Sequence, residues 1–292
     1  MRWNESVSPP SEGGLFAGYN VIVTGASSGI GRDLALMFAC EGGNVALFAR
    51  RRPLLLELAR EIVDLGVAVL PIECDVTDAK QVQAAVDRVE HKFSAIDIVV
   101  NNAGVLIPAL FRNAGLRDLR RMMDVNYFGA VHVTRAALPV MEDAGSGNIV
   151  NIASIAGRRG GVALSGYSAS KSALIAFTET LRIELFGTGV TASVVVPASV
   201  DTEMLRNPEW ESRSWAVGDV KMPKEWVTWG VVTAITLGLA EVDVPPGIVT
   251  VEKVAGLFPD LTAGWVGAGS RMIDLMNRWI AGRRHSLRRP DY

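Results

Sequence analysis

Between residues 20 and 198, short and almost wholly apolar runs alternate with longer stretches whose apolar positions recur at helical spacing. The runs "NVIVTG" (20–25), "NVALFA" (44–49), "VAVLPIECDV" (67–76), "IDIVVNNAG" (96–104), "GNIVNIAS" (147–154) and "VTASVVVPA" (190–198) predict six strands. "RDLALMFACEGG" (32–43) reads as a helix stopped by glycine, and "PLLLELAREIVDLG" (53–66) as a helix with proline in its first turn. "AKQVQAAVDRVEHKFS" (79–94) and the stretches over about 117–141 and 165–187 complete the helices between the strands. Strands apolar on both faces, alternating with amphipathic helices, predict a parallel sheet covered on both sides. The expected fold is α/β, a single doubly wound, Rossmann-type domain over residues 18–270 with no linker or composition break before about residue 205.

The flanks differ in pattern. The first 17 residues are polar and rich in Ser, Pro and Gly, lack the apolar stretch of a secretion signal, and read as a flexible tail. The 203–229 segment holds Trp210, Trp215, Trp226 and Trp229 with Met204, Leu205 and Met222, an aromatic composition suited to a lid over a hydrophobic substrate. Packing of these tryptophans on the domain is the plain alternative. "VVTAITLGLA" (231–240) reads as a buried helix. Residues 271–292 read as a C-terminal helix with Met272, Leu275, Met276 and Trp279 on one face, then a basic tail. Packing against its own protein is the simplest role for that face, ahead of a subunit contact, a cover for the pocket or a touch on an anionic membrane surface.

Composition adds limits. Of 292 residues, 49% are hydrophobic, ample for a core, and the net charge of −2 offers no electrostatic argument for nucleic acid. No apolar run reaches about 18 residues, so no membrane span is expected. Cys40 and Cys74 lie in apolar surroundings, and two cysteines without a signal segment suggest a reducing, cytoplasmic setting. His91, His132 and His285 are scattered and show no metal-ligand spacing.

In a doubly wound sheet, ligands lie at the carboxyl ends of the strands. After the first strand comes "TGASSGIG", with Thr24, Gly25, Ser27, Ser28, Gly29, Ile30 and Gly31. Strand, glycine-rich turn and helix N-terminus together make a phosphate site, because glycine lets the backbone approach and free N–H groups attract the anion. A plain turn between strand and helix is the alternative. The second strand ends "ALFARRR", so Ala49 stands where a dinucleotide fold selecting NAD carries an acid, and Arg50, Arg51 and Arg52 follow. Guanidinium groups match a 2′-phosphate, which assigns Arg50 and Arg51 to NADP(H), with Arg52 left as a solvated residue.

In "SGYSASKSAL" (165–174), Tyr167 and Lys171 are four apart and share one helical face. A nearby ammonium favours a phenolate. Moving a phenol from about 10 toward 7–8 takes about 3–4 kcal/mol.

Taken in order, "TGASSGIG", "CDV" (74–76), "NNAG" (101–104), "DVNYFG" (124–129), "NIASIAG" (151–157) and "YSASK" (167–171) resemble the motifs of the short-chain dehydrogenase/reductase family over about residues 19–205. The resemblance implies a nicotinamide cofactor and hydride transfer at a carbon bearing oxygen. It implies that Ser154, thirteen residues before Tyr167, hydrogen-bonds the substrate oxygen, that Tyr167 donates and accepts the proton, and that Lys171 holds the nicotinamide ribose and lowers the tyrosine pKa. It implies that Asn126 orders a helix and a water that links Lys171 to solvent. Asp75 and Val76 would lie beside the adenine, Asn101, Ala103 and Gly104 along the adenosine, and Pro197, Val200 and Thr202 near the carboxamide and phosphates. Family members are commonly homodimers or homotetramers. Two departures stand out: Pro197-Ala198 where the family often has Pro-Gly, and a C-terminal ending unlike the family's glycine-rich one.

The expected activity is an NADP(H)-dependent interconversion of ketone and secondary alcohol on a hydrophobic small molecule. A 3-oxoacyl-thioester reductase, whose carrier would meet the final basic residues, is the alternative. A non-catalytic NADP-binding regulator on the same fold is the reading from another class, although it would have no need for Ser154, Tyr167, Lys171 and Asn126 together. Arg158 and Arg159, just past Ser154, read as a solvated loop with an acidic substrate as the alternative partner.

Overall fold

The structure is a computed structural model that describes residues 13–200 and 222–247. Seven parallel strands form one sheet in the order β3-β2-β1-β4-β5-β6-β7. They are β1 (Asn20–Thr24), β2 (Asn44–Ala49), β3 (Val69–Glu73), β4 (Ile98–Asn101), β5 (Gly147–Ile152), β6 (Val190–Pro197) and β7 (Glu241–Val244). The helices are α1 (Gly29–Cys40), α2 (Arg52–Val63), α3 (Ala79–Phe93), α4 (Leu116–Met123), α5 (Gly129–Ala144), α6 (Ser165–Glu184) and α7 (Glu225–Thr236).

The two-residue period of β1 shows why helices cover both faces. Val21 and Val23 join a cluster with Leu34, Phe38 and Leu58, while Ile22 joins another with Val86, Val133 and Met141. None of these β1 side chains touches solvent, and burying each fully is worth about 1.5–3 kcal/mol over leaving it exposed. A polar residue on either face would face a dry layer, which accounts for the unbroken apolar runs of the sequence. The strand order reverses between β1 and β4, and such a reversal opens a crevice at the carboxyl ends.

Four sequence expectations are corrected here. Residues 13–17 belong to the folded body: Phe16 is 2% exposed and stacks edge-on against Phe38, with ring centroids 4.8 Å apart. A single buried phenylalanine in a polar stretch leaves no period to read. The 117–141 helix is two helices joined by a π turn over Asp124–Phe128. The six expected strands become seven, because β7 follows directly on the helix expected over 231–240. Its "EVDV" alternates because Val242 and Val244 are buried while Glu241 and Asp243 are half-buried, the pattern of a short edge strand. Finally, Trp226 and Trp229 ride on the outer face of α7, 46% and 50% exposed, and do not line the cleft. Met222 of the expected lid is buried in the core, and residues 203–221, Thr202, residues 1–12 and the C-terminal helix lie outside the described residues. Among the described residues no helix is long and apolar enough to cross a membrane.

Candidate active site

A cleft of about 630 Å³ runs along the carboxyl ends of the strands. One end is built by the turn after β1. Gly25 and Gly29 have φ of +67° and +58°, a region that L side chains rarely adopt. A Cβ on Gly25 would stand 2.9 Å from Ala103 Cα in the turn after β4. Thr24 ties those turns together: its Oγ1 accepts from the Asn102 and Ala103 amides at 2.9 and 3.0 Å, and its carbonyl accepts from Asn102 Nδ2 at 3.0 Å. Ser27, Ser28, Gly29 and Ile30 line the cleft. The first-turn amides of α1 have no intrahelical acceptor, and Ser28 at the N-cap makes no side-chain cap bond to them. Gly31 does not reach the cleft. Its added Cβ would lie 2.4 Å from the Gly25 carbonyl and 2.5 Å from Asn102 Nδ2, so its smallness serves the packing of α1 on the turn.

The next wall is basic. Arg51, just past β2, donates from Nε and Nη2 to Ser27 Oγ at 3.2 and 3.1 Å, and also to Ser28 Oγ. It therefore joins the end of β2 to the glycine-rich turn. Arg50 is 57% exposed and stands 3.8 Å from Asp75 Oδ2, and both line the cleft with Val76, Ala103 and Gly104. An exposed pair at that distance is worth under about 1 kcal/mol, so Arg50 can turn to a ligand at little cost.

At the other end stand Ser154, Tyr167 and Lys171. Ser154 follows β5, and its Oγ accepts from the Ala156 amide at 3.2 Å while bonding the Tyr167 phenol. Tyr167 and Lys171 project from the first two turns of α6 toward the same wall, with Lys171 Nζ 5.9 Å from the tyrosine ring centroid. Lys171 is 4% exposed and donates to the Ile152 carbonyl at 2.7 Å. Burial lowers its pKa to about 8.

Burial holds the Tyr167 phenol above its ordinary pKa, and the opposing influence is the Ser154 hydrogen bond. The Lys171 ammonium bonds the Ile152 carbonyl and faces the tyrosine ring.

Asn126 lies on the π turn between α4 and α5, a distortion common at functional sites. Its Oδ1 accepts from the Val105 amide at 2.7 Å, and its Nδ2 donates to the Val105 carbonyl and Ser170 Oγ, each at 2.9 Å. It does not line the cleft. It pins the chain after β4 to α6, and a Cβ on Gly104 would touch both Asn126 Oδ1 and Lys171 Nζ. Pro197 and Val200 line the cleft.

Asn101 is placed differently from the expectation. It is 3% exposed, away from the cleft, and Nδ2 donates to Thr134 Oγ1 and Asn151 Oδ1. An asparagine inside a strand end points inward when its neighbour Asn102 takes the turn. Sequence reading gave no signal for Leu106 and Leu164, apolar residues of loops that line the substrate end, nor for Ser170, whose hydroxyl holds Asn126.

A family model described as short chain dehydrogenase matches residues 19–212. The chain is 35% identical over 263 residues to a protein named ketoacyl reductase HetN from Nostoc sp., an alignment covering 90% of this chain and 89% of that one. Among solved structures it is similar to a short chain dehydrogenase/reductase from Burkholderia phymatum in complex with NAD. The TM-score is 0.77 at 28% identity, covering 85% of this chain and 96% of that one. A 7 alpha-hydroxysteroid dehydrogenase complexed with NADH and 7-oxo glycochenodeoxycholic acid gives a TM-score of 0.72 at 25% identity, with 78% and 93% covered.

Proposed function

The chain belongs to the short-chain dehydrogenase/reductase family, and from that premise we propose that it is an NADP(H)-dependent oxidoreductase interconverting a ketone and a secondary alcohol on a hydrophobic small molecule. One observation carries the reading: a single cleft joins a glycine turn bridged by Arg51 to a wall bearing Ser154, Tyr167 and Lys171.

The residues fit a dinucleotide. The uncapped first turn of α1 and the close backbone at Gly25 suit a pyrophosphate. Arg50 and Arg51 suit a 2′-phosphate, since one turns freely and the other already holds the turn beneath it. Asp75 and Val76 would flank the adenine and Lys171 the nicotinamide ribose. When bound, the cofactor supplies or accepts the hydride.

The chain's own work concerns the carbonyl oxygen. As that oxygen gains negative charge, the Ser154 hydroxyl and the Tyr167 phenol donate hydrogen bonds to it. The raised pKa of Tyr167 keeps its proton in place at neutral pH, which suits a donor in the reducing direction. With a pKa of about 8, Lys171 is mostly protonated at neutral pH and can move a proton near it. Asn126 fixes Val105 and Ser170, and thereby the spacing between the turn after β4 and α6. Leu106, Leu164 and Ala156 support the apolar substrate.

The alternative, a 3-oxoacyl-thioester reductase, is supported by the similarity to a protein named ketoacyl reductase. The test is NADPH oxidation, followed by absorbance, over aliphatic, aromatic and polycyclic ketones and a 3-oxoacyl thioester. Turnover of the free ketones supports the proposal, turnover of the thioester alone selects the alternative, and NADPH binding without any turnover overturns both.

A further inference from the structure

Two consecutive arginines follow the Ser154 turn and have separate surroundings. Arg158 donates to Glu179 on α6 and Glu241 on β7, each at 2.8 Å, and so ties the loop to the body. Arg159 lines the cleft. Its amide, like that of Arg158, donates to the Ile155 carbonyl at 3.0 Å, beside Ser154. Farther along, the Ala163 carbonyl accepts from the Ala109 amide at 2.9 Å, so the loop carrying Arg159 is held at both ends.

The charges along the cleft are unevenly placed. Among the described lining residues the one carboxylate is Asp75, at the far end beside Arg50. Around Ser154 and Tyr167 the lining side chains Leu106, Ile155, Ala156 and Leu164 are apolar. Arg159 lines the same cleft and already has an interaction within the protein, and a guanidinium in a half-enclosed cleft still draws an anion more strongly than one in bulk water.

We propose that Arg159 is a specificity residue that binds a carboxylate or another small oxyanion on the substrate, so that the preferred ketone is an oxo acid with an apolar skeleton. This rests on the reading of the site as a carbonyl reductase. A guanidinium offers five donors in a planar fork, so it can take a carboxylate and keep a protein partner.

The probes are 4-(3-oxobutyl)benzoate and its methyl ester, which share one ketone and differ in charge. A hydrogen bond to a charged group is worth about 1.5–3 kcal/mol, or roughly ten- to a hundredfold. The wild type should favour the acid over the ester in kcat/KM by roughly tenfold or more. Arg159→Gln should lose that preference through a fall in kcat/KM that is larger for the acid than for the ester, and Arg159→Lys should keep part of it. An equal loss for both probes in Arg159→Gln, or no preference in the wild type, overturns the assignment. If neither probe is turned over, the reductase reading fails, and calorimetric titration of each probe into the cofactor-loaded protein decides. Tighter binding of the acid that Arg159→Gln abolishes upholds the anion site, and equal or absent binding refutes it.

Discussion

Replacing Lys171 by methionine should stabilise the protein while abolishing the proposed activity. The Lys171 ammonium is 4% exposed, and desolvation lowers its pKa from 10.5 to about 8. At about 1.36 kcal/mol per unit, keeping this group charged in the folded state costs roughly 3 kcal/mol at neutral pH. The bond to the Ile152 carbonyl returns about 1 kcal/mol. Lys171→Met keeps the length of the chain and removes both effects, so it should be more stable by roughly 1–2 kcal/mol at pH 7.5. The unfolded chain holds the lysine proton more tightly than the folded one. Stability therefore rises with pH from about 8 to 10.5 in the wild type, and this contribution is lost as pH falls through 8. Over pH 7.5–9.0 the rise amounts to roughly 1 kcal/mol. Cys74, raised to about 11 by burial and by Asp75 and Asp78, works in the opposite sense, its contribution fading as pH passes 9. The difference between wild type and Lys171→Met cancels it. Urea unfolding followed by tryptophan fluorescence at both pH values gives that difference. A variant less stable than wild type at pH 7.5, or an advantage that does not shrink by pH 9.0, would refute the reasoning.

Arg51→Ala should raise the Kd of NADPH by roughly ten- to a hundredfold and that of NADH by less than about threefold, as read by fluorescence titration. Equal losses would remove the 2′-phosphate assignment. Gly31→Ala should lower the Tm by roughly 2–12 °C, because the new methyl meets the Gly25 carbonyl and the Asn102 amide, and overpacking costs about 1–3 kcal/mol. An unchanged Tm in a thermal melt would show that α1 can move away from the turn.

Most of the sheet was legible because both of its faces are dry. Strands such as β1 and β6 are then apolar at consecutive positions, Val21 to Val23 and Val194 to Val196, as a sheet buried on both faces requires. The strand β7 escaped for the complementary reason: among the described residues it is paired on one side only, and its polar residues are half-buried. The break at Asp124–Phe128 escaped because a π turn keeps the apolar period almost intact while turning Asn126 inward. In the site, glycines and ends of strands could be placed from the motif, and Ser27, Ser28, Arg51, Ser154, Tyr167 and Lys171 do meet in one cleft. Motif spacing could not tell a cleft residue from its packed neighbour. Gly31 and Asn101 sit beside Gly29 and Asn102 in sequence, yet they face the interior. Nor does spacing report burial, which sets the pKa values of Tyr167 and Lys171 more than their mutual distance does.

The role of Tyr167 is tested most directly by turnover of Tyr167→Phe, which keeps the ring that packs beneath Lys171 and removes the hydroxyl that Ser154 bonds. With a ketone that the wild type reduces, the steady-state rate of NADPH oxidation should fall by roughly 10²–10⁴-fold while the Kd of NADPH stays the same. A rate within about threefold of wild type would contradict the assignment of the proton to Tyr167.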